Sequence, residues 1–274
     1  MDLATIIGLL LAFGAIFLSV TLEKGALSGF VNAPAFVLVM FGTLGATTIC
    51  FPLKDLLKLP IVMKQAFFTK QIEPAEMMKN LLEFSRKARR EGILALEDEV
   101  RKSHIPFLQR GMSLVIDGAS PELVREILET ELASMQARHR IGIGIFDTLG
   151  GFAPTLGILG TVMGLVNMLA NLSEPGEMGH AIASAFIATL YGVGSANLIF
   201  LPIGNKLKAR SHEETHAYEL ALEGILALQN GDSPRLVASK MQSFLSPQLR
   251  EHAVQKGREE PSRAREEVRE EVHV

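Results

Sequence analysis

Three threonines and one proline lie within apolar stretches of the chain that carry almost no charge. Thr155, Thr161 and Thr189 have hydroxyl groups, which both donate and accept hydrogen bonds and can coordinate water or a moving cation. Pro154 lacks the amide hydrogen that would bond the carbonyl of Gly150, so another group must satisfy that carbonyl. Spacing alone leaves two alternatives open: the hydroxyls line an ion path, or each bonds its own helix backbone.

The two segments that contain these residues have no charged group midway along their length. Phe146–Leu172 and Gly179–Gly204 contain no lysine, arginine or glutamate, and their ionisable residues of note, Asp147 and His180, lie at the ends. Such segments can line an ion path but cannot hold a proton midway. A charge at mid-bilayer costs about 2.5–3.5 kcal/mol on insertion scales and is usually functional. We therefore expect a second protein to supply the titrating carboxylate.

These segments must be positioned by membrane helices. Leu3–Leu22 and Ala33–Pro52 are two further apolar runs of about the length that spans a bilayer. The first lacks the basic start and cleavage site of a signal peptide, which favours a retained span. The alternative, a set of buried core helices, would have to explain four such runs together. The sequence predicts an all-α, polytopic membrane protein with four transmembrane helices and a helical cytoplasmic domain.

Basic residues predict the orientation of the chain. Of its 27 lysines and arginines, only Lys24 lies in the short loops Glu23–Asn32 and Ser173–Met178, whereas the middle segment and the tail contain the others. Basic loops stay on the cytoplasmic side. We therefore predict five segments: spans 1 and 2 (1–52), a cytoplasmic helical domain (53–145), spans 3 and 4 (146–204), a cytoplasmic helical tail (205–250) and a charged, disordered tail (251–274).

Helical periodicity and turn signals predict how the cytoplasmic segments fold. A helix at Pro74–Arg90 is followed by a possible break at Gly92, and Ser120-Pro121 has the pattern of a helix start. That helix is long enough to run through Arg140 into the third span. Further helices are predicted at Ile93–Lys102, His212–Leu228 and Pro234–Leu245. Small residues at spacings of three and four predict close packing of the spans: Gly160, Gly164, Ala181, Ala185, Ala188, Gly192 and Ala196.

Other chemistry finds little support in the sequence. The single cysteine, Cys50, lies in the second span without metal-ligand spacing around it. The net charge of −3 says little about partners, and we expect no metal, cofactor or nucleic acid. Ser184 lies four residues after His180, so the two can touch on one helix face. An intramembrane hydrolase would also need a third activating group and an oxyanion site, and neither is evident.

Three separated motifs resemble signatures of the MotA/PomA family of flagellar motor stator subunits. They are GFAPTLGILGTVMGL at 151–165, HAIASAFIATLYG at 180–192 and RREGILALE at 89–97. The resemblance covers nearly the whole chain apart from the tail after about Arg250. It implies that Pro154 and Pro202 match functional prolines, that Thr155 and Thr189 lie near the ion path, and that Arg89 and Glu97 meet the rotor. Arg89 and Glu97 can share a helix face provided that Gly92 does not break the helix.

The resemblance also implies partners and a location. We expect a homo-oligomer, a pentamer, around a dimer of a MotB-like, peptidoglycan-anchored subunit, acting on a switch-complex protein of the rotor from the inner (plasma) membrane. Ala188 stands where sodium-type relatives tend to carry a second hydroxyl, which favours protons. Two alternatives remain. An ExbB/TolQ-type energiser usually has three spans, and a self-contained transporter would conduct without a second subunit.

Overall fold

The computed structural model describes residues 3–25, 27–68, 74–170 and 175–244, and over these ranges the chain forms helices and turns without a strand. Four helices are long and apolar enough to cross a membrane, as predicted. The α-helices are Leu3–Leu22, Ala33–Cys50, Leu53–Leu56, Leu59–Phe68, Pro74–Glu91, Glu97–Lys102, Pro106–Ile116, Pro121–Ala170, Pro175–Ser195, Leu201–Gln229 and Pro234–Gln242. A short π-helical turn, Val37–Phe41, lies within Ala33–Cys50, and a second, Ala196–Phe200, joins Pro175–Ser195 to Leu201–Gln229. We call the four membrane-capable segments spans 1 to 4 in chain order.

Span 2 is bounded by a cap and a proline. Asn32 caps its first turn, with Pro34 in the first helical positions. The helix ends at Cys50, two residues before the predicted end at Pro52. The reason is steric, because the residue before a proline is pushed out of the helical region, and Phe51 has an extended backbone.

Spans 3 and 4 are parts of longer helices. The helix Pro121–Ala170 has 50 residues, so the predicted continuation from Ser120-Pro121 into the third span is confirmed. The helix predicted at His212–Leu228 is not separate. It belongs to Leu201–Gln229, which continues span 4 through the π-helical turn Ala196–Phe200. Span 4 begins at Pro175, within the segment that we predicted as the loop Ser173–Met178.

The chain divides into two compact units. We call Met1–Lys70 with Ala137–Ser211 the membrane unit, and Gln71–Gln136 with His212–Val274 the helical unit. The core of the helical unit includes Met77, Leu108, Leu128 and Ile225 among other buried apolar residues. The predicted disorder of 251–274 and the last residue of the predicted helix Pro234–Leu245 lie outside the described residues.

Glycine controls two positions in the helical unit. Gly92 has φ +87° and ends the helix Pro74–Glu91, so the predicted break is confirmed. A Cβ atom added to Gly111 would lie 2.6 Å from Ile225 Cδ1 and 3.0 Å from Leu128 Cδ1. A larger residue at Gly111 would therefore require the ends of the Ile225 and Leu128 side chains to shift.

Candidate functional site: a polar cluster between spans 3 and 4

Spans 3 and 4 meet through their backbones. A Cβ atom on Gly192 would lie 2.5 Å from the Ala153 carbonyl oxygen and 2.9 Å from Gly157 Cα. A Cβ atom on Gly157 would lie 2.9 Å from the Ala188 carbonyl oxygen. Distances this short leave no space for a side chain, so glycine at both positions is required for the observed approach of the two helices.

The contact continues along both helices through further small residues. A Cβ atom on Gly160 would lie 2.6 Å from the Ala188 Cβ atom, and one on Gly164 would lie 2.7 Å from that of Ala185. The close packing predicted from the small-residue spacing is therefore present. It brings polar groups of the two helices within hydrogen-bonding distance of each other.

Four oxygen atoms gather at this contact. The hydroxyls of Thr161 and Thr189 are hydrogen bonded to each other. Thr161 Oγ1 also lies 3.2 Å from the carbonyl oxygens of both Gly157 and Ala185, and Thr189 Oγ1 lies 3.5 Å from that of Gly157. We call the two hydroxyls and these two carbonyls the polar cluster. The two hydroxyls supply only two protons, whereas the four oxygen atoms offer more lone pairs than these protons can fill. The cluster can therefore accept a hydrogen bond from water or coordinate a cation.

Thr155 lies on another face of span 3. Its exposed hydroxyl donates to the Phe152 carbonyl of its own helix at 2.7 Å. It precedes Thr161 by six residues, which corresponds to a rotation of about 240° around the helix axis. The structure thus brings Thr189 to Thr161, and it places Thr155 on a face with the exposed Gly151, Ile158 and Val162. Pro154, its neighbour in the chain, is half-buried.

Asp147 lies near the start of span 3, and Pro202 lies near the end of the apolar part of span 4. Asp147 is exposed, and its Oδ1 atom lies 3.1 Å from the position of a Cβ atom on Gly204. Pro202 is exposed and lies two residues after the last residue of the π-helical turn Ala196–Phe200. Proline cannot donate to the carbonyl four residues earlier, which belongs to Leu198 in this turn, and the wider turn accommodates that missing bond.

A hydrogen-bonded junction between spans 2 and 4 is not evident from the sequence. Asn32 Oδ1 accepts from the Ala35 amide at 2.9 Å, while Asn32 Nδ2 donates to Ser184 Oγ at 3.0 Å. The Tyr191 hydroxyl accepts from the Asn32 amide at 3.2 Å and donates to the Phe30 carbonyl. An asparagine before Ala-Pro is a recognisable helix cap. Its partners Ser184 and Tyr191, however, are more than 150 residues further along the chain, so local sequence does not indicate them.

Arg89 and Glu97 lie on separate helical segments, because the helix ends at Glu91 and Gly92 interrupts it. Both residues are exposed. Because Gly92 breaks the helix between them, Arg89 and Glu97 do not share the face of one helix. Glu97 pairs with Arg101 at 2.6 Å. Lys87 and Glu99 join the two segments at 2.7 Å, and this hydrogen bond to Glu99 raises the pKa of Lys87.

Comparison with known proteins bears on this arrangement. Residues 99–220 match the MotA/TolQ/ExbB proton channel family. Motility protein A of Bacillus subtilis is 35% identical over 97% of this chain and 99% of that protein. Motility protein A of Borreliella burgdorferi is 38% identical over 91% of this chain and 96% of that protein, and the chemotaxis protein PomA of Vibrio alginolyticus is 34% identical over 90% and 96%.

Solved structures agree with the sequence relatives. The C. jejuni MotAB structure superposes with a TM-score of 0.85 at 30% identity, covering 90% of this chain and 97% of that chain. The flagellar MotAB stator complex from Bacillus subtilis superposes with a TM-score of 0.83 at 36% identity, covering 89% and 97%. Since the similarity extends over nearly the full length of each relative, the chain belongs to the Motility protein A (MotA/PomA) family of the MotA/TolQ/ExbB proton channel proteins.

Proposed function

We propose that this chain is a flagellar motor stator subunit that forms one wall of a proton path and converts proton flow into torque. The observation that carries the proposal is the polar cluster, which places two paired hydroxyls between two spans that have no carboxylate, lysine, arginine or histidine midway. Such a wall can pass a proton or a cation along but cannot hold one. Near-full-length similarity to Motility protein A favours this role over an ExbB/TolQ-type energiser.

The missing carboxylate comes from a MotB-like, peptidoglycan-anchored partner. Relatives of this chain have been solved as MotAB complexes, and five copies of the chain around a partner dimer would close the path. The exposed face of span 3 that carries Thr155 offers a surface for the partner's span. Thr155 would then meet the carboxylate from one side, and Thr189 would act from within the helix pair.

Torque passes from the spans to the rotor through the helices that leave the membrane. Pro154 and Pro202 are the positions where a helix backbone lacks a hydrogen bond and can change shape at low cost. Arg89 and Glu97 present opposite charges on the surface of the helical unit, and these charges would contact a switch-complex protein of the rotor. The proposed setting is the inner membrane, with the loop after span 2 and the C-terminal tail in the cytoplasm.

The choice of proton rests on Ala188, which adds no second hydroxyl beside Thr189. One proton crossing about 100 mV releases roughly 2.3 kcal/mol, so rotation requires many protons in succession. Motility that depends on sodium and survives a protonophore would contradict this assignment.

The polar cluster can be tested in the reconstituted complex with its partner. Thr161→Val and Thr189→Val remove one hydroxyl each while keeping the side-chain shape. Loss of one partner from a half-buried cluster costs about 1–3 kcal/mol. If this cost is added to the barrier for transfer, proton flux into vesicles should fall roughly five- to 150-fold. Thr48→Val is the matched control, because that hydroxyl bonds only the Leu44 carbonyl of its own helix in the described structure. Wild-type flux in both cluster variants would overturn the proposal.

A further inference from the structure

Two short helices lie directly after span 2, Leu53–Leu56 and Leu59–Phe68. The Lys58 amide donates to the Asp55 carbonyl at 3.2 Å, and the Val62 amide donates to the Lys58 carbonyl at 3.0 Å. These bonds join the two into one nearly continuous helical segment, 53–68, which we call the surface helix.

One face of the surface helix packs against the membrane unit. Leu56, Leu59 and Val62 lie against a buried cluster that includes Ile145 and Ile203. The approach is close, since a Cβ atom on Gly142 would lie 3.3 Å from Val62 Cγ1. The surface helix is therefore fixed where spans 3 and 4 leave the predicted membrane.

The opposite face combines large apolar side chains with lysines. Leu53, Leu57 and Ile61 recur every four residues and are 63%, 72% and 61% exposed. Lys54, Lys58 and Lys64 are exposed beside them. The one acidic residue in 53–68 is Asp55, whose side chain is 16% exposed and pairs with Lys58 at 3.5 Å. The outward face is thus both apolar and positively charged.

The position of this face indicates what covers it. Only Phe51 and Pro52 separate the surface helix from the end of span 2, and two residues reach at most about 7 Å. Leu53 therefore starts next to the bilayer, and the packing of Leu59 and Val62 against the buried cluster holds the rest of this face at the ends of spans 3 and 4. Apolar side chains flanked by lysines are the pattern by which helices lie in the headgroup region of an anionic membrane.

We propose that the outward face of the surface helix binds anionic phospholipid headgroups of the cytoplasmic leaflet. The proposal rests on the orientation given under the proposed function, but it needs neither ion flow nor the rotor. Leu53, Leu57 and Ile61 enter the acyl boundary, while Lys54 and Lys64 contact the phosphates. Lys58 is shared between Asp55 and the lipid.

The test uses the detergent-solubilised complex of the full chain with its partner, titrated with short-chain phosphatidylglycerol or phosphatidylcholine and followed by native mass spectrometry. The variant Lys54→Gln with Lys64→Gln leaves the Asp55–Lys58 pair intact. Each lysine near an anionic surface contributes about 1 kcal/mol, so the two changes should weaken phosphatidylglycerol binding about 25-fold. Phosphatidylcholine binding should not change.

The matched control is Lys79→Gln with Lys102→Gln, which removes two exposed lysines from the helical unit. It should bind phosphatidylglycerol as the wild type does. Equal retention of both lipids by the wild type, or no loss in the surface-helix variant, would overturn the proposal. A changed subunit count in that variant would also overturn it, because the face would then contact another copy. Proton flux, measured separately, reports on the proposed function and distinguishes its failure from this one.

Discussion

Gly192 is the residue at which spans 3 and 4 come closest. The added Cβ atom of Gly192→Ala would lie 2.5 Å from the Ala153 carbonyl oxygen and 2.9 Å from Gly157 Cα. Both neighbours are backbone atoms, which cannot move aside as a side chain can, so we expect overpacking to destabilise the fold by about 1–3 kcal/mol. The midpoint of thermal unfolding of the complex in detergent should fall accordingly.

Gly194 provides a control on the same helix, two residues further on. A Cβ atom there would have no neighbour within 4 Å in the described structure. Gly194→Ala should therefore unfold at the wild-type temperature, and its better helix propensity slightly favours the folded state. If both variants lost the same stability, the glycines would matter for a reason other than this helix contact.

The sequence predicts residue types at the site better than their partners. Thr161 and Thr189 were recognisable as hydroxyls in uncharged spans, and the small-residue spacing predicted that their helices pack closely. The distances to the Gly157 and Ala185 carbonyls depend on the rotation of one helix against the other, which periodicity does not fix. The roles of Thr155, Pro154 and Pro202 stay predictions, because they concern an ion and a second protein and not the fold of this chain.

At the scale of elements, the side chain of Asn32 joins the start of span 2 to span 4. Asn32→Ala removes the cap of span 2 and the bond to Ser184 together. The cap alone contributes about 1 kcal/mol, so exchange of the amide hydrogens of Ala35 and Phe36 should quicken about fivefold. Ser184→Ala should leave that exchange unchanged, because it removes only the bond between the helices. Equal exchange in Asn32→Ala and the wild type would contradict the capping role.

The charged surface of the helical unit is a second prediction about elements. Arg89→Glu and Glu97→Lys reverse exposed charges on two different helical segments. Exposed pairs such as Glu97 with Arg101 contribute little to stability, so we expect normal assembly with the partner and impaired swimming torque. Glu126→Lys reverses an exposed charge elsewhere in the unit and should keep normal torque. Loss of assembly in the Arg89 or Glu97 variant would assign that residue a folding role.

Element boundaries could be predicted where a backbone constraint is local. Gly92 ends a helix, and Pro121 begins one, as their residue types indicate. The fusion of the predicted helix His212–Leu228 with span 4 was missed, because the change from apolar to basic residues after Gly204 marks the end of the apolar span and not the end of the helix. The π-helical turn before Pro202 accommodates the missing hydrogen bond, and no residue pattern marked that turn.

At the scale of the whole molecule, spans 3 and 4 have no carboxylate, lysine, arginine or histidine midway along their length. We therefore expect the purified chain, reconstituted into vesicles without a partner, to pass no protons down a gradient. Co-reconstitution with a MotB-like subunit should restore proton flux. A partner variant with asparagine in place of its membrane aspartate controls for leakage around the complex. Flux through the unaccompanied chain would identify a self-contained transporter instead.

The number of spans and the fold class follow from hydrophobic length alone, because a bilayer sets one thickness for every helix that crosses it. The assembly does not follow in the same way. Span 1 has no fully buried residue in the described structure, so most of its surface is left for lipid or another chain to cover.

The π-helical turn Ala196–Phe200 has a further consequence for how this chain tolerates changes in length. A π-helical turn is equivalent to one extra residue inserted into an α-helix. Deleting one residue elsewhere in a helix rotates everything beyond it by about 100° and turns buried faces outward. A deletion within 196–200 would instead regularise the helix and keep both flanks in phase. We therefore expect span 4 to tolerate the loss of one residue at this turn, with the side chains before and after it still facing the same neighbours.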